Sequence, residues 1–115
     1  MASSSENIRK LNDRFRRGDT SVPGHLVFTS GVKQLVDDSE DGAIVELAAL
    51  VAGFDAFTED NDPYREHDFG AFEFKGERLF FKFDYFAPGL TETSEDPGDP
   101  WQSIRVLTIM LASEY

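Results

Sequence analysis

Residues 70–85 carry the pattern that most constrains this chain. Gly70, Phe72 and Phe74 share one parity, and beyond Lys75-Gly76 the residues Leu79, Phe81, Phe83 and Tyr85 share the other. Alternate residues of a strand lie on one face, so a hairpin turning on Lys75-Gly76 brings both apolar rows together. It sets Phe72 opposite Leu79, Gly70 opposite Phe81, and Glu73 opposite Arg78 as an ion pair on the other face. A slip of one residue would bury Glu73 and Lys82 instead, so the register is strongly specified. Gly70 beneath Phe81 lets the ring lie over the neighbouring strand. Carried one step further, the same register sets His67 opposite Asp84, beside Lys82.

The flanking segments divide between helix and strand. Ser3 followed by Glu6 has the form of a capping box, and Ile8, Leu11 and Phe15 follow at helical spacing, which predicts a helix over 4–17 ended by Gly18. A short strand is expected over 25–29, and helical turns over 31–36. The acids of 37–41 suit a helix start, and Ile44, Leu47 and Val51 continue the periodicity, so a helix is expected over 40–51, passing into a short strand at 53–58. Residues 87–98 read as a surface loop. Asp99 as cap, Pro100 at the first helical position, and the spacing of Ile104, Leu107 and Leu111 predict a C-terminal helix against the hairpin. The expected fold class is α+β: one domain over 1–115, with a small antiparallel sheet centred on the 68–74 and 79–86 hairpin, packed against N- and C-terminal helices.

Composition narrows the function. Twenty-two acids against eleven bases give a net charge of −11, which repels phosphate backbones and anionic membranes and favours a basic partner. The charge is uneven: residues 1–17 hold five bases and two acids, a local +3, leaving −14 on the rest. Without cysteine a sulfur-rich zinc site is excluded. The start of the chain lacks the basic and apolar run of a secretory signal, so a cytoplasmic location is expected.

The polar stretch 60–70 draws the eye as a site. Asn61 and Asp62 fit a structural turn before Pro63. Asp62, Glu66, His67 and Asp68 supply one nitrogen and three carboxylates, a set that could hold a divalent metal, while His67 with Asp84 and Lys82 could supply acid–base chemistry. Against these stands a latch, a His67–Asp84 hydrogen bond tying the turn to the sheet. No nucleophile elbow and no phosphate-binding glycine loop is present. Lys82 beside Asp84 reads as an ion pair.

Several stretches together resemble a small family of uncharacterised proteins, a domain of unknown function frequent in alphaproteobacterial chromosomes and plasmids. They are Leu11-Asn12-Asp13, Thr29-Ser30-Gly31-Val32, Phe54-Asp55-Ala56-Phe57, the run from Asn61 to Gly70, Lys82-Phe83-Asp84-Tyr85, and the run from Arg105 to Tyr115. Two positions depart from the family pattern: Arg65 stands where Gly is expected, a bulky cation in a turn where Gly would allow positive φ, and Phe81 where Trp is expected. The resemblance transfers no activity; its association with plasmids implies a mobile-element or counter-defence role.

The expected function is therefore a non-enzymatic acidic interaction protein. It would bind a basic, nucleic-acid-handling partner, as an inhibitor of the anti-restriction or anti-CRISPR type that mimics nucleic acid. The expected contact residues are Glu92, Glu95, Asp96 and Asp99, Asp37, Asp38, Glu40 and Asp41, and Glu59 and Asp60. No cofactor is expected in this reading. The alternative is a metal-dependent enzyme built on Asp62, Glu66, His67, Asp68 and Asp84 with a divalent ion.

Overall fold

A computed structural model describes residues 4–115. Three helices, α1 (Ser5–Arg16), α2 (Ser30–Asp37) and α3 (Ala43–Gly53), combine with four strands, β1 (Gly24–Phe28), β2 (Phe69–Phe74), β3 (Glu77–Phe86) and β4 (Ile104–Leu111), and a short 3-10 turn follows at Ala112–Glu114. The sheet order is β1-β4-β3-β2. The class is α+β, as expected, but the sheet is mixed, because β1 runs parallel to β4 while the other pairs are antiparallel.

The hairpin forms in the expected register. Gly70 pairs with Phe81, Phe72 with Leu79 and Glu73 with Arg78, the last with its ion pair at 3.7 Å. Lys75 and Gly76 both take positive φ, 52° and 80°, the geometry of a two-residue turn whose twist matches that of the strands. Phe74, Leu79, Phe81 and Phe83 then join Leu107 and Ile109 of β4 beneath Val32, Leu47 and Val51 of the helices, and this is the core. Phe69, Phe80 and Tyr115 form a smaller ring cluster.

Two expected elements are corrected. The segment 104–111 is a central strand, not a C-terminal helix. Flanked by partners on both edges, it is apolar on nearly every residue, and such a run satisfies helical spacing by accident. Its β-branched residues Ile104, Val106, Thr108 and Ile109 favour the extended form. The segment 53–58 is not a strand: α3 runs to Gly53, and Phe54 and Phe57 turn their rings edge-on to each other and to Phe81. Helix α1 is capped by Ser4, whose hydroxyl accepts from the Asn7 amide at 3.1 Å. The expected cap at Ser3 lies outside the described residues.

Candidate functional site

Helix α1 presents Asn12, Asp13 and Arg16 inward, and these three side chains organise everything at the 60–70 end of the molecule. Arg16 is buried. Its Nη1 donates to the carbonyls of Val51 and Phe54, its Nη2 donates to Asp13 Oδ1 at 2.8 Å, and its guanidinium lies 5.4 Å from the ring centres of both Phe57 and Phe81. Asp13 in turn holds His67: Nδ1 stands 2.9 Å from Oδ1 and 3.1 Å from Oδ2. The imidazole stacks flat on Phe57, centroid to centroid 3.8 Å at an interplanar angle of 4°. A carboxylate facing Nδ1 fixes the tautomer with the proton on that nitrogen when the ring is neutral, leaving Nε2 free.

His67 therefore latches the turn to α1 and not to β3. The expected contact with Asp84 is not made, because His67 lies before β2 with φ of 55°, and a register extrapolated past the end of a strand loses its meaning there. Asp84 instead pairs with Lys82 at 3.2 Å, as read from their proximity. Both lie on the strand parity opposite to Leu79, Phe81 and Phe83, so His67, Lys82 and Asp84 do not assemble.

The turn itself is built by side chains. Asn61 Oδ1 accepts from the Thr58 amide, and Asn61 Nδ2 donates to the Ala56 carbonyl. Asp62, only 4% exposed, accepts from the amides of Glu66 and His67 through one oxygen, at 3.0 and 3.1 Å. Its other oxygen stands 3.7 Å from His67 Nε2. Among the described residues no group of three or more His, Asp or Glu side chains is placed to hold an ion, so the four residues offered as metal ligands do not converge on one. Burial first, then the neighbouring charges of Asp68 and Asp62, pushes the Glu66 carboxyl above its usual value. Asp68 is raised as well, by burial chiefly.

Arg9, Phe57, Thr58, Glu59, Asp62, Arg65 and His67 line a cleft of about 430 Å³. Behind it lies a second buried network. Asn12, wholly buried, donates to the Glu66 carbonyl at 3.0 Å and to the Tyr85 hydroxyl at 2.8 Å, and accepts from Arg105 Nε at 2.7 Å. Arg105 is also fully buried and donates to Ser103 Oγ and to the Pro97 carbonyl. Burial pushes its guanidinium down to about 10, so it remains charged at neutral pH. That cation braces the loop between β3 and β4 from within, and Ser94 and Ser103 fasten the same loop through the Gln102 and Asp99 carbonyls. On the outside of this braced loop stands Trp101, 88% exposed.

The ten acids expected at a partner interface are dispersed. Glu92, Glu95, Asp96 and Asp99 lie on the braced loop after β3, and Glu92 and Glu95 are exposed. Asp37 ends α2, and Asp38, Glu40 and Asp41 lie between α2 and α3, where Glu40 is bound by Lys75 of the hairpin turn. Those two groups sit at opposite ends of β3, a ten-residue strand that spans about 30 Å. Glu59 and Asp60 flank the cleft. Asp99 has internal work: it accepts from the Trp101 amide and from Gln102 Nε2, both at 2.8 Å.

Sequence reasoning missed Asn12, Asp13, Arg16, Arg105 and Trp101 as site residues. Asn12 follows Ile8 by four residues and so lies on the apolar face of α1, a polar side chain in a buried stripe. That was the available signal.

The Asp13 carboxyl supplies a pH test. Burial raises its pKa, but the hydrogen bonds and charges of Arg16 and His67 outweigh burial and leave it below its ordinary value. A depressed folded pKa gives stability that is complete above the unfolded value, about 3.9, and is lost as pH falls through the folded one. Asp13→Asn is expected to melt below the native protein at about pH 5 and to converge on it toward about pH 2 in thermal scans. A gap unchanged across that range would show that Asp13 carries no such linkage.

Fold and sites together define a small α+β domain with two buried arginine-centred networks. The sequence profile of the family described as "Protein of unknown function (DUF3768)" matches residues 28–114, and the chain belongs to that family. The match begins after α1, although Asn12, Asp13 and Arg16 bond into the matched region. No curated protein and no solved structure matches the chain. Among the described residues no helix is long and apolar enough to cross a membrane.

Proposed function

We propose that this protein is a non-enzymatic binding module that docks a basic, nucleic-acid-handling protein through the loop between β3 and β4. The observation that carries the reading is Trp101, held in solvent by a loop whose inner side is fastened to a buried arginine. Tryptophan leads the residue types that supply most of the energy at interfaces, and a braced loop loses little freedom on binding. Glu92 and Glu95, exposed on the same loop, add negative charge to it, which suits an apolar pocket rimmed by Lys and Arg, and the net charge of −11 speeds encounter with such a partner. Where that contact covers the partner's nucleic-acid groove, the protein acts as an inhibitor of the anti-restriction or anti-CRISPR type. The separation of the acidic groups favours a local contact over a long array of mimicked phosphates.

The test is paired affinity capture from the native host with wild-type and Trp101→Ala baits, eluted with rising salt. Truncating a central tryptophan costs about 2 kcal/mol or more, roughly 30-fold in affinity, so the partner should be lost from the Trp101→Ala bait. Glu92→Gln with Glu95→Gln should flatten the salt dependence. Equal capture by all three baits would refute the proposal.

A further inference from the structure

Among the described residues, the two guanidiniums bordering the His67 cleft have no carboxylate within ion-pair distance. Acids outnumber bases two to one in this chain, and Lys10, Arg14, Arg16, Lys75, Arg78 and Lys82 each hold at least one, while among the described residues Arg17, Lys33 and Arg105 hold none and do not line the cleft. Arg9 and Arg65 hold none among the described residues, yet both line the same cavity. Arg9 is not loose there: its Nη1 donates to the Arg65 carbonyl at 3.2 Å, which places the guanidinium across the cleft. Two guanidiniums without a direct carboxylate partner on one concave surface leave their forked donors available to an anion.

The rest of the cleft is prepared. His67 is clamped between the Asp13 carboxylate and the Phe57 ring, and its Nε2 meets no partner nearer than the Asp62 oxygen at 3.7 Å. Asp62 is almost fully buried, with one oxygen accepting two amides and the other facing His67 Nε2, so it makes no direct ion pair with either arginine. Glu59 is the single exposed acid of the lining. Arg65 and His67 both have φ of 55°, so two of the four non-glycine residues with positive φ among those described fall on this wall. Backbone strain of this kind gathers where a site needs a side chain that the backbone would not otherwise choose. The cleft, about 430 Å³, falls within the size range of small-molecule sites.

We propose that this cleft binds a small oxyanion, a phosphate or carboxylate group, gripped by the guanidiniums of Arg9 and Arg65. The site is separate from the Trp101 loop, so a Trp101→Ala protein retains it.

Calorimetric titration with sodium phosphate and, separately, sodium acetate tests the proposal, with sodium chloride holding ionic strength constant. Saturable binding of phosphate alone identifies a phosphate-bearing ligand, and saturable binding of acetate alone a carboxylate. Arg9→Gln and Arg65→Gly should each weaken the bound anion about tenfold or more. Arg65→Gly carries a second readout: glycine accepts positive φ without strain, so this variant should melt higher than the native protein while binding less. Saturation by neither anion, or an affinity unchanged in the Arg9→Gln, Arg65→Gly double variant, overturns the proposal.

Discussion

Replacing Arg105 by alanine is expected to destabilise the protein by about 3 kcal/mol or more, a large share of the roughly 5–15 kcal/mol that holds a domain of this kind together. The side chain is wholly buried and serves three acceptors: Asn12 Oδ1, Ser103 Oγ and the Pro97 carbonyl. Each buried acceptor left without a donor costs about 1–3 kcal/mol, and the emptied volume adds a cavity term, while removal of a desolvated charge returns part of the loss. The guanidinium also lies 5.1 Å from the ring centre of Tyr85, a stacking contact that alanine cannot make. Urea denaturation of native, Arg105→Ala and Arg105→Lys proteins measures the effect. Lysine keeps the charge but not the planar fork, so it should recover only a minor part. Limited proteolysis should find the 96–103 loop cut first in both variants. An Arg105→Ala protein with an unchanged midpoint would mean that the loop is held by Ser94 and Ser103 alone.

The second large effect is expected at Gly70. A Cβ there would stand 2.3 and 2.7 Å from atoms of the Phe81 ring and 2.8 Å from the Phe54 ring, well inside contact distance. Phe81 has no exposed surface and packs edge-on against Phe54, Phe57 and Phe83, so it has nowhere to go. Overpacking of this kind costs about 1–3 kcal/mol or more, against the fraction of a kcal/mol that an alanine gains from its stiffer unfolded chain. Gly70→Ala should lower the melting temperature by several degrees, and Gly70→Val by more. The loss should be partly rescued when Phe81→Leu is added, because the two changes share one space. A simple sum of the two single effects would place the strain elsewhere.

The two cases differ in how visible they were. Gly70 and Phe81 are paired by parity alone: the alternation on both sides of Lys75-Gly76 admits one register, and that register forms. Arg105 was hidden by the segment around it. Read at helical spacing, it falls among polar positions; in the extended strand it shares the inward parity of Leu107 and Ile109, and the charge becomes the largest of the fully buried side chains among the described residues. The error in the segment and the missed residue are one error, since the direction of a side chain follows from the period of the backbone.

His67 marks the same boundary. The sequence indicated that the 60–70 turn is tied down by a histidine, but the carboxylate that holds it comes from Asp13, 54 residues away on α1. Register is a local rule, valid where strands are paired, and His67 lies outside the paired segment. No spacing rule connects a turn to a helix that docks beside it.

By itself, then, the sequence determined the hairpin and its register, the first helix, the α+β class and the acidity, because each depends on neighbours in the chain or on counts. Only the tertiary structure decided that 104–111 is a strand parallel to β1, that Asn12, Asp13 and Arg16 reach across to the 60–70 turn, that Arg105 braces the Trp101 loop, and that Arg9 and Arg65 border one cleft. These contacts join residues far apart in the chain, and what selects them is the burial of shared apolar faces and the need of each buried polar group for a partner.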